Sequence, residues 1–448
     1  MDILSLFACF ETSALTVQIR QLAIISQAIL TMTGRVTILG ISRWTSKGGS
    51  YRTIQRFFAA NLPWSEMLVK FVQTHLFNSH HEHLLAGDAT TVTKSGTETS
   101  GIGQFFSGTL GKVVNGLEFF VFSLIDVRER KSYPLLVKQT VRSQAEREAL
   151  KSRRKKRQKG EKKSAKKLAG RPTGVLNKDK TKLELSSELW RINELLKLTV
   201  ELIRVFVTVK YLTLDGHFGH NQAVLMARAN GLELISKLRK DAALFEKYEG
   251  EYSGKGRRRR YGKRFDYQKI PPKYLKQSEA KGEVITNYYQ GELLSKSFAS
   301  PVNVVIIEKI NLKTKKVGHA ILFSNDVQLS SEKLIEYYGL RFQIEFNFRD
   351  AKQHFGLEDF MTTTQVGVEN AACLSFLMVN LSAKLLREKR ENCLGINDLK
   401  SQYRGVKYAL ETIKLIEPKA EIILIEEVKK AIGRIGSIHR RNFSISSA

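Results

Sequence analysis

The order of apolar and polar positions divides the chain into stretches of different period. From Leu15 to Phe71 the pattern is helical, with Ile19, Leu22, Ala23, Ile25 and Leu30 spaced for one buried face, and a basic stretch from Arg43 to Ser50 interrupts it. Ser50 is placed to cap a following helix over residues 51–60, because its hydroxyl can accept from an unpaired amide of the first turn. Helix, glycine-containing turn and helix make the outline of a helix-turn-helix, with Arg52 and Arg56 one turn apart on the second helix. A small helical packing module with arginines facing solvent has the same outline.

Beyond Leu84 the period changes. Residues 84–93, 117–127 and 132–140 read as strands, the last two joined by the polar turn Arg128-Glu129-Arg130-Lys131, as in a hairpin. Residues 151–167 hold eleven Lys or Arg in seventeen positions and cannot pack a core, so they read as a solvated loop or a phosphate-tracking arm. A helix over 183–198 precedes the nearly continuous apolar run 205–214, which reads as a strand covered on both faces and closes at Asp215-Gly216. A helix over 218–230 and a strand over 232–238 complete a strand-helix-strand alternation. The fold class expected is therefore α/β with some parallel pairing.

From Lys240 to Leu329 basic runs, tyrosines and strand-like segments at 302–308 and 320–324 indicate a β-rich insertion. Strong helices follow over 330–355 and 369–386, and the tail from Gly395 is mixed helical and basic. The organisation expected is a helical DNA-binding domain over 1–78, a core over 79–239 with a basic loop at 145–182, an insertion over 240–329, a second core part over 330–390, and a basic C-terminal region over 391–448.

Composition narrows the partners. The 448 residues carry 73 Lys and Arg against 44 Asp and Glu, a net charge of +29, while 42% hydrophobic residues supply a core. That surplus calls for a polyanion, and because it is spread along the chain rather than gathered on one amphipathic helix, nucleic acid is favoured over a membrane surface. No uncharged apolar run reaches the roughly 18 residues of a membrane span. Residues 21–34 and 370–383 read instead as core helices. Cys9, Cys373 and Cys393 cannot form a disulfide framework, so a cytoplasmic protein with reduced thiols is expected.

Three acids carry the candidate chemistry. On a continuous helix from Ser331, Tyr338, Arg341, Glu345 and Lys352 fall within an arc of about 60°, beside an apolar stripe of Leu340, Ile344 and Phe348. Taken alone, Glu345 would make an ordinary surface ion pair with Arg341 or Arg349. Asp88 lies inside a strand, where a carboxylate is costly unless it pairs or ligates. Asp215 closes the most apolar strand at its carboxyl end, where open α/β sheets place ligands, although an Asp-Gly turn would also account for it. Carboxylates on a strand, a strand end and a helix suit a site holding two Mg²⁺ roughly 3.5 to 4 Å apart.

The spacing of Tyr338, Arg341, Glu345 and Lys352 resembles the Y-(2)-R-(3)-E-(6)-K signature of bacterial insertion-sequence transposases of the DDE group, and the resemblance covers roughly Leu84 to Leu386. It implies a ribonuclease-H-like mixed sheet with flanking helices, split by a β-rich insertion before the signature. Asp88 would be the first acid, on the first core strand; Asp215 the second, after the fourth; Glu345 the third. It further implies Mg²⁺-dependent hydrolysis at element ends, with Mn²⁺ able to substitute, and strand transfer of the freed 3′-hydroxyl. Tyr338, Arg341 and Lys352 would grip phosphates. Double-stranded DNA bearing terminal inverted repeats, target DNA and a homodimeric synaptic complex would be the partners, with no membrane. Some relatives stack an insertion-domain Trp on a flipped base; here the tryptophans are Trp44, Trp64 and Trp190, all outside 240–329, leaving Tyr288, Tyr289 or Phe298 for that task.

Other features carry less. His80-His81-Glu82-His83 has no downstream ligand cluster at zinc spacing and reads as a solvated linker. Gly101-Ile102-Gly103 lacks the third glycine and the helix of a dinucleotide fingerprint. His217 and His220 are placed to help cap a helix. The distributed charge makes a first prediction: DNA affinity falls steeply with salt, each neutralised phosphate adding about −0.9 to the log–log slope. A binding isotherm series between low and moderate salt measures it, and a nearly flat slope would exclude a broad phosphate contact.

Overall fold

The computed structural model describes residues 2–10, 16–45, 48–158, 179–388 except 253, 255 and 257, 395–413, and 429. The helices are α1 (Ile3–Phe7), α2 (Thr16–Thr31), α3 (Ile38–Trp44), α4 (Tyr51–Ala59), α5 (Trp64–His75), α6 (Gln144–Gln158), α7 (Ser187–Ile203), α8 (Asn221–Ala229), α9 (Ser331–Leu340), α10 (Gln343–His354), α11 (Gln365–Glu388) and α12 (Ile396–Ile413). The strands are β1 (His83–Thr93), β2 (Gly103–Ser107), β3 (Lys112–Asp126), β4 (Lys131–Gln139), β5 (Tyr211–Thr213), β6 (Glu233–Leu238), β7 (Leu244–Lys247), β8 (Tyr261–Arg264), β9 (Leu275–Lys281), β10 (Val284–Ser295), β11 (Val302–Asn311) and β12 (Val317–Ser324).

Five of these strands make the core. β4 pairs antiparallel with β3, β3 antiparallel with β1, β1 parallel with β5, and β5 parallel with β6. This mixed sheet with helices against it is ribonuclease-H-like, and β2 only extends the edge along the first half of β3. The β-rich stretch does not stand apart. β12 pairs with β6, and β11 and β10 follow, so the core sheet continues into the insertion strands.

The parallel strands are apolar because both of their faces are covered. Leu84, Leu85, Ala86, Leu212, Leu214, Leu234 and Ile235 are fully buried. The run 205–214 is nevertheless mostly not a strand. α7 continues to Ile203, Val205 stands 73% exposed, and only Tyr211–Thr213 joins the sheet. A β-branched run marks a strand only where the sheet has room for it, and here the preceding helix and its exit consume the first half.

Helices α2 to α5 follow one another through the N-terminal region, and Ser50 caps α4 by accepting from the Thr53 amide. α4 buries Ile54, Phe57 and Phe58 while Arg52 and Arg56 are exposed. α11 runs through the centre of this assembly and is buried over most of its length. Its Asn370 side chain donates to the Phe58 and Ala60 carbonyls, 2.8 Å each, and accepts from Trp64 Nε1 at 2.6 Å. The N-terminal helices are thereby tied to the helix that covers the core sheet. α6 forms over the first part of the expected basic loop, and residues 159–178, with the rest of that run, lie outside the described residues. So do Cys393 and the basic tail positions Arg434, Arg440 and Arg441.

Asn370→Ala would leave the buried Trp64 N–H and the Phe58 carbonyl without partners, which sets the expected loss of stability at about 2–4 kcal/mol. Denaturant unfolding followed by tryptophan fluorescence measures it; a change within a few tenths of that of a surface substitution would show that this tie does not hold the helices.

Candidate functional site

Parallel pairing decides where the first two acids lie. Leu85 aligns with Leu212 and Ala86 with Thr213, so the same register carried two residues further sets Asp88 alongside Asp215. In-register residues of neighbouring strands point to the same face, on backbones about 4.8 Å apart. Gly87 keeps that approach tight: a Cβ there would meet Phe122 at 2.8 Å and Leu214 at 2.9 Å. Asp215 ends the chain's passage through the sheet and turns it, its carboxylate accepting from the His217 amide at 3.1 Å. Its backbone is fixed by the Ser236 hydroxyl, which donates to the Asp215 carbonyl at 2.6 Å.

Glu345 comes from the opposite direction, on α10. Ile344, Phe348 and Ala351 bury that helix against the sheet, and Asn347 donates to the Ser132 hydroxyl at 2.9 Å. The continuous helix expected over 330–355 is not observed. α9 stops at Leu340, α10 starts at Gln343, and between them Phe342, Ile344 and Glu345 donate to carbonyls three residues back, at 3.2, 3.1 and 3.0 Å. This 3₁₀-type turn advances more per residue than an α-helix, so the uniform wheel does not hold through the signature. A tightened turn inside a helix at the candidate site's own residues is a feature to explain, not a defect.

What the turn achieves is the placement of Arg341. Its Nη1 lies 2.6 Å from Asp88 Oδ2 and its Nη2 3.3 Å from Glu345 Oε1, so one guanidinium bridges two of the three acids. The side chain is only 13% exposed, and its Nε is buried without a partner. Tyr338 stacks below it, ring centroid 5.8 Å away, with its phenol pushed up chiefly by burial. Burial also pushes the Asp88 carboxyl up to about 6; Arg341 opposes this, and the negative charges of Asp215 and Glu345 add to it.

Lys352 does not join this group. Its Nζ donates to the Thr91 carbonyl at 2.7 Å and lies 3.5 Å from Glu358, bracing α10 against β1. Arg52 and Arg56 belong to the N-terminal helices. His217 sits 3.2 Å from Glu188, while His220 caps α8 by accepting from Ala223. Phe298 is buried against Phe323, and the Tyr289 hydroxyl donates to Glu308, so of the aromatics expected to stack on a base these two are already engaged. An exposed pair that sequence reasoning passed over, Phe342 and Phe346 in edge contact at 5.4 Å, flanks Glu345; its signal was two aromatics at i, i+4.

The donor set suits a hard divalent cation: three carboxylates, all oxygen, with no thiol or imidazole among them. Negative charge is in excess, since one guanidinium faces two acids directly and a third adds its repulsion. Among the described residues, however, the three ligand atoms already within 4.8 Å of one another belong to His81, Asp126 and Glu129. Those residues lie at the other end of β1, and of the stretch 80–83 His80 and Glu82 are exposed as a solvated linker would be, while His83 is buried and His81 half-buried.

A family model described as DDE superfamily endonuclease matches residues 5–288, a span that includes Asp88 and Asp215 and ends before Glu345. No curated protein matches the chain. Among solved structures, the cryo-EM structure of the piggyBac transposase synaptic complex with hairpin DNA is similar over 96% of this chain and 81% of that chain, at 10% identity and a TM-score of 0.37.

The raised Asp88 carboxyl has a stability consequence. Its folded pKa, about 6, lies above the ordinary 3.8, so the cost of charging it is absent well below pH 3.8, grows between 3.8 and 6, and is fully present above. Asp88→Asn should therefore stabilise the metal-free protein at pH 7.5 by about 1–3 kcal/mol and do little at pH 4. Denaturant melts at the two pH values test this; destabilisation at pH 7.5 would mean that the Arg341 pair outweighs burial.

Proposed function

The chain belongs to the DDE superfamily endonucleases, and from that premise we propose that it is a transposase of the insertion-sequence type, which hydrolyses a phosphodiester at each element end and joins the freed 3′-hydroxyl to target DNA. One observation carries the reading: Arg341 bridges Asp88 and Glu345, with Asp215 just past the end of the adjacent parallel strand. Asp88, Asp215 and Glu345 would hold the divalent cations, Mg²⁺ or Mn²⁺. Bound there, the cations supply an activated attacking oxygen and charge neutralisation at the leaving oxygen.

This chain's own residues bind and orient. Arg341, once released from its two carboxylates, presents a planar fork of donors to a backbone phosphate beside the cut. The Tyr338 phenol, kept protonated by burial, donates to the same region of backbone. Lys352 holds the rim between β1 and α10 and offers its remaining protons to a neighbouring phosphate. Arg52 and Arg56, exposed on α4, contact DNA further from the cut, and the net charge of +29 draws the duplex to the surface. Each end requires one such site, so a homodimer joins two ends in the cytoplasm, where the element's DNA lies.

Asp88→Ala, Asp215→Ala and Glu345→Ala should each lower Mg²⁺-dependent end cleavage by at least about three orders of magnitude while leaving DNA affinity within a few-fold. Gel assays on DNA carrying the element's inverted repeats give both readouts. Normal cleavage by any one variant removes that residue from the site, and cleavage without strand transfer by the parent protein would make it a nuclease and not a transposase.

A further inference from the structure

At the far end of β1 from Asp88 lies a second group of ligand-type side chains. The antiparallel register of β1 and β3 sets His83 opposite Asp126, and the Val127 amide donates to the Glu82 carbonyl, closing the ladder there. Asp88 lies five positions after His83, a span of about 17 Å along a strand. The Asp126 carboxylate is completely buried, His83 is 2% exposed and His81 8%.

The polar atoms here are not evenly matched. His81 Nδ1 is 2.6 Å from Asp126 Oδ2, and the Glu129 amide donates to Asp126 Oδ1 at 2.8 Å. His83 hydrogen-bonds the His81 backbone, while its Nε2, 3.8 Å from the same Asp126 Oδ2, is buried with no partner. With one ring nitrogen donating to a backbone carbonyl, the other nitrogen of a neutral imidazole is a lone pair. The unpartnered His83 Nε2 thus faces a carboxylate oxygen across 3.8 Å, an arrangement that a bound cation would resolve.

We propose that His81 Nδ1, His83 Nε2, Asp126 Oδ2 and a Glu129 carboxylate oxygen form a structural site for a divalent transition metal of the zinc class, separate from the three acids at the other end of β1. Two imidazoles and two carboxylates form the mixed nitrogen and oxygen set such metals take, unlike the all-oxygen set around Asp88. Bonds of about 2.1 Å in a tetrahedron put ligand atoms about 3.4 Å apart. The observed 2.6 and 3.8 Å straddle that value, and the His81, Asp126 and Glu129 ligand atoms all lie within 4.8 Å of one another; His83, outside that trio and 3.8 Å from Asp126, is the ligand that must move in to close the site.

The surroundings are those of a supported site. Tyr133 donates to Glu129 Oε2 at 2.9 Å, and Arg387 of α11 grips Oε1, orienting the fourth ligand. Phe77 packs on the His83 ring, centroids 5.0 Å apart. On binding, the His81 Nδ1 proton would move to Nε2, and the Asn78 side-chain amide, whose nitrogen now lies 3.0 Å from Nε2, would turn its oxygen there to accept it. An open cleft of about 350 Å³, lined by His80, His81, Glu82 and Arg128 among others, leads in from solvent. The metal would pin the start of β1 to the end of β3, the hairpin after it and, through Arg387, α11.

The experiment uses the full chain, stripped with a chelator and titrated with Zn²⁺ alone by calorimetry, with a thermal melt at each end point. The Asp88→Ala/Asp215→Ala/Glu345→Ala triple variant is expected to keep one tight Zn²⁺ site and a melting temperature that rises by several degrees on binding. His83→Gln should weaken that site about tenfold or more, whereas His80→Ala, which alters only the exposed neighbour, should not. Should an Asp126→Asn variant fail to fold, the visible spectrum of the Co²⁺-loaded triple variant decides instead, intense tetrahedral bands supporting the site. No Zn²⁺ binding by the triple variant, binding unchanged by His83→Gln, or a weak octahedral Co²⁺ spectrum would each overturn the proposal. None of these readouts depends on DNA cleavage, so the transposase reading stands or falls separately.

Discussion

Like charge held at close range is the constraint around which this molecule is built. Parallel pairing of β1 with β5 fixes Asp88 beside Asp215, and the packing of α10 brings Glu345 up to the same place. Three carboxylates on a partly desolvated surface repel one another, and burial, with the charges of Asp215 and Glu345 adding to it, lifts the Asp88 carboxyl to about 6 even with a guanidinium 2.6 Å away. The arrangement is tolerable only because Arg341 stands between two of the acids. The tightened turn at 341–345, the burial of that arginine and the Tyr338 ring beneath it all serve that one contact.

Such a site is poised and not relaxed. Arg341 stabilises the acids when nothing else does, yet it occupies the ground a cation would take. On the reading proposed above, exchange of one for the other would release an arginine, a phosphate-binding group, as the carboxylates ligate, and loading and substrate grip would be coupled through a single side chain. The surrounding structure supplies the rigidity this requires: Lys352 braces α10 to β1, Asn347 fastens it to β4, and Asn370 locks the N-terminal helices to α11.

Much of this was legible in the sequence, for physical reasons that differ by element. The core strands were readable because burial on both faces leaves long apolar runs, as in residues 84–93 and 117–127, and the α4 cap because Ser50 stands where an unpaired amide needs an acceptor. The strand at 205–214 was overread, since periodicity cannot tell a buried strand from the apolar exit of a helix. The break after Leu340 was invisible for a similar reason: hydrophobic spacing changes little over one 3₁₀ turn. Arg341 was legible as a cation near Glu345 but not as the bridge to Asp88, which is 253 positions away in the chain. The group around His81 and His83 was dismissed because its partners were sought nearby in sequence, whereas the β1–β3 register supplies them from positions 126 and 129.

The claim that Asp88, Asp215 and Glu345 together hold divalent cations is tested most directly by an anomalous-difference map from crystals grown with Mn²⁺ and a DNA end. The account predicts anomalous density bounded by these three carboxylates, with the Arg341 guanidinium swung onto a phosphate. Density confined to other residues, or an Arg341 still locked between Asp88 and Glu345 with DNA and Mn²⁺ both bound, would contradict it.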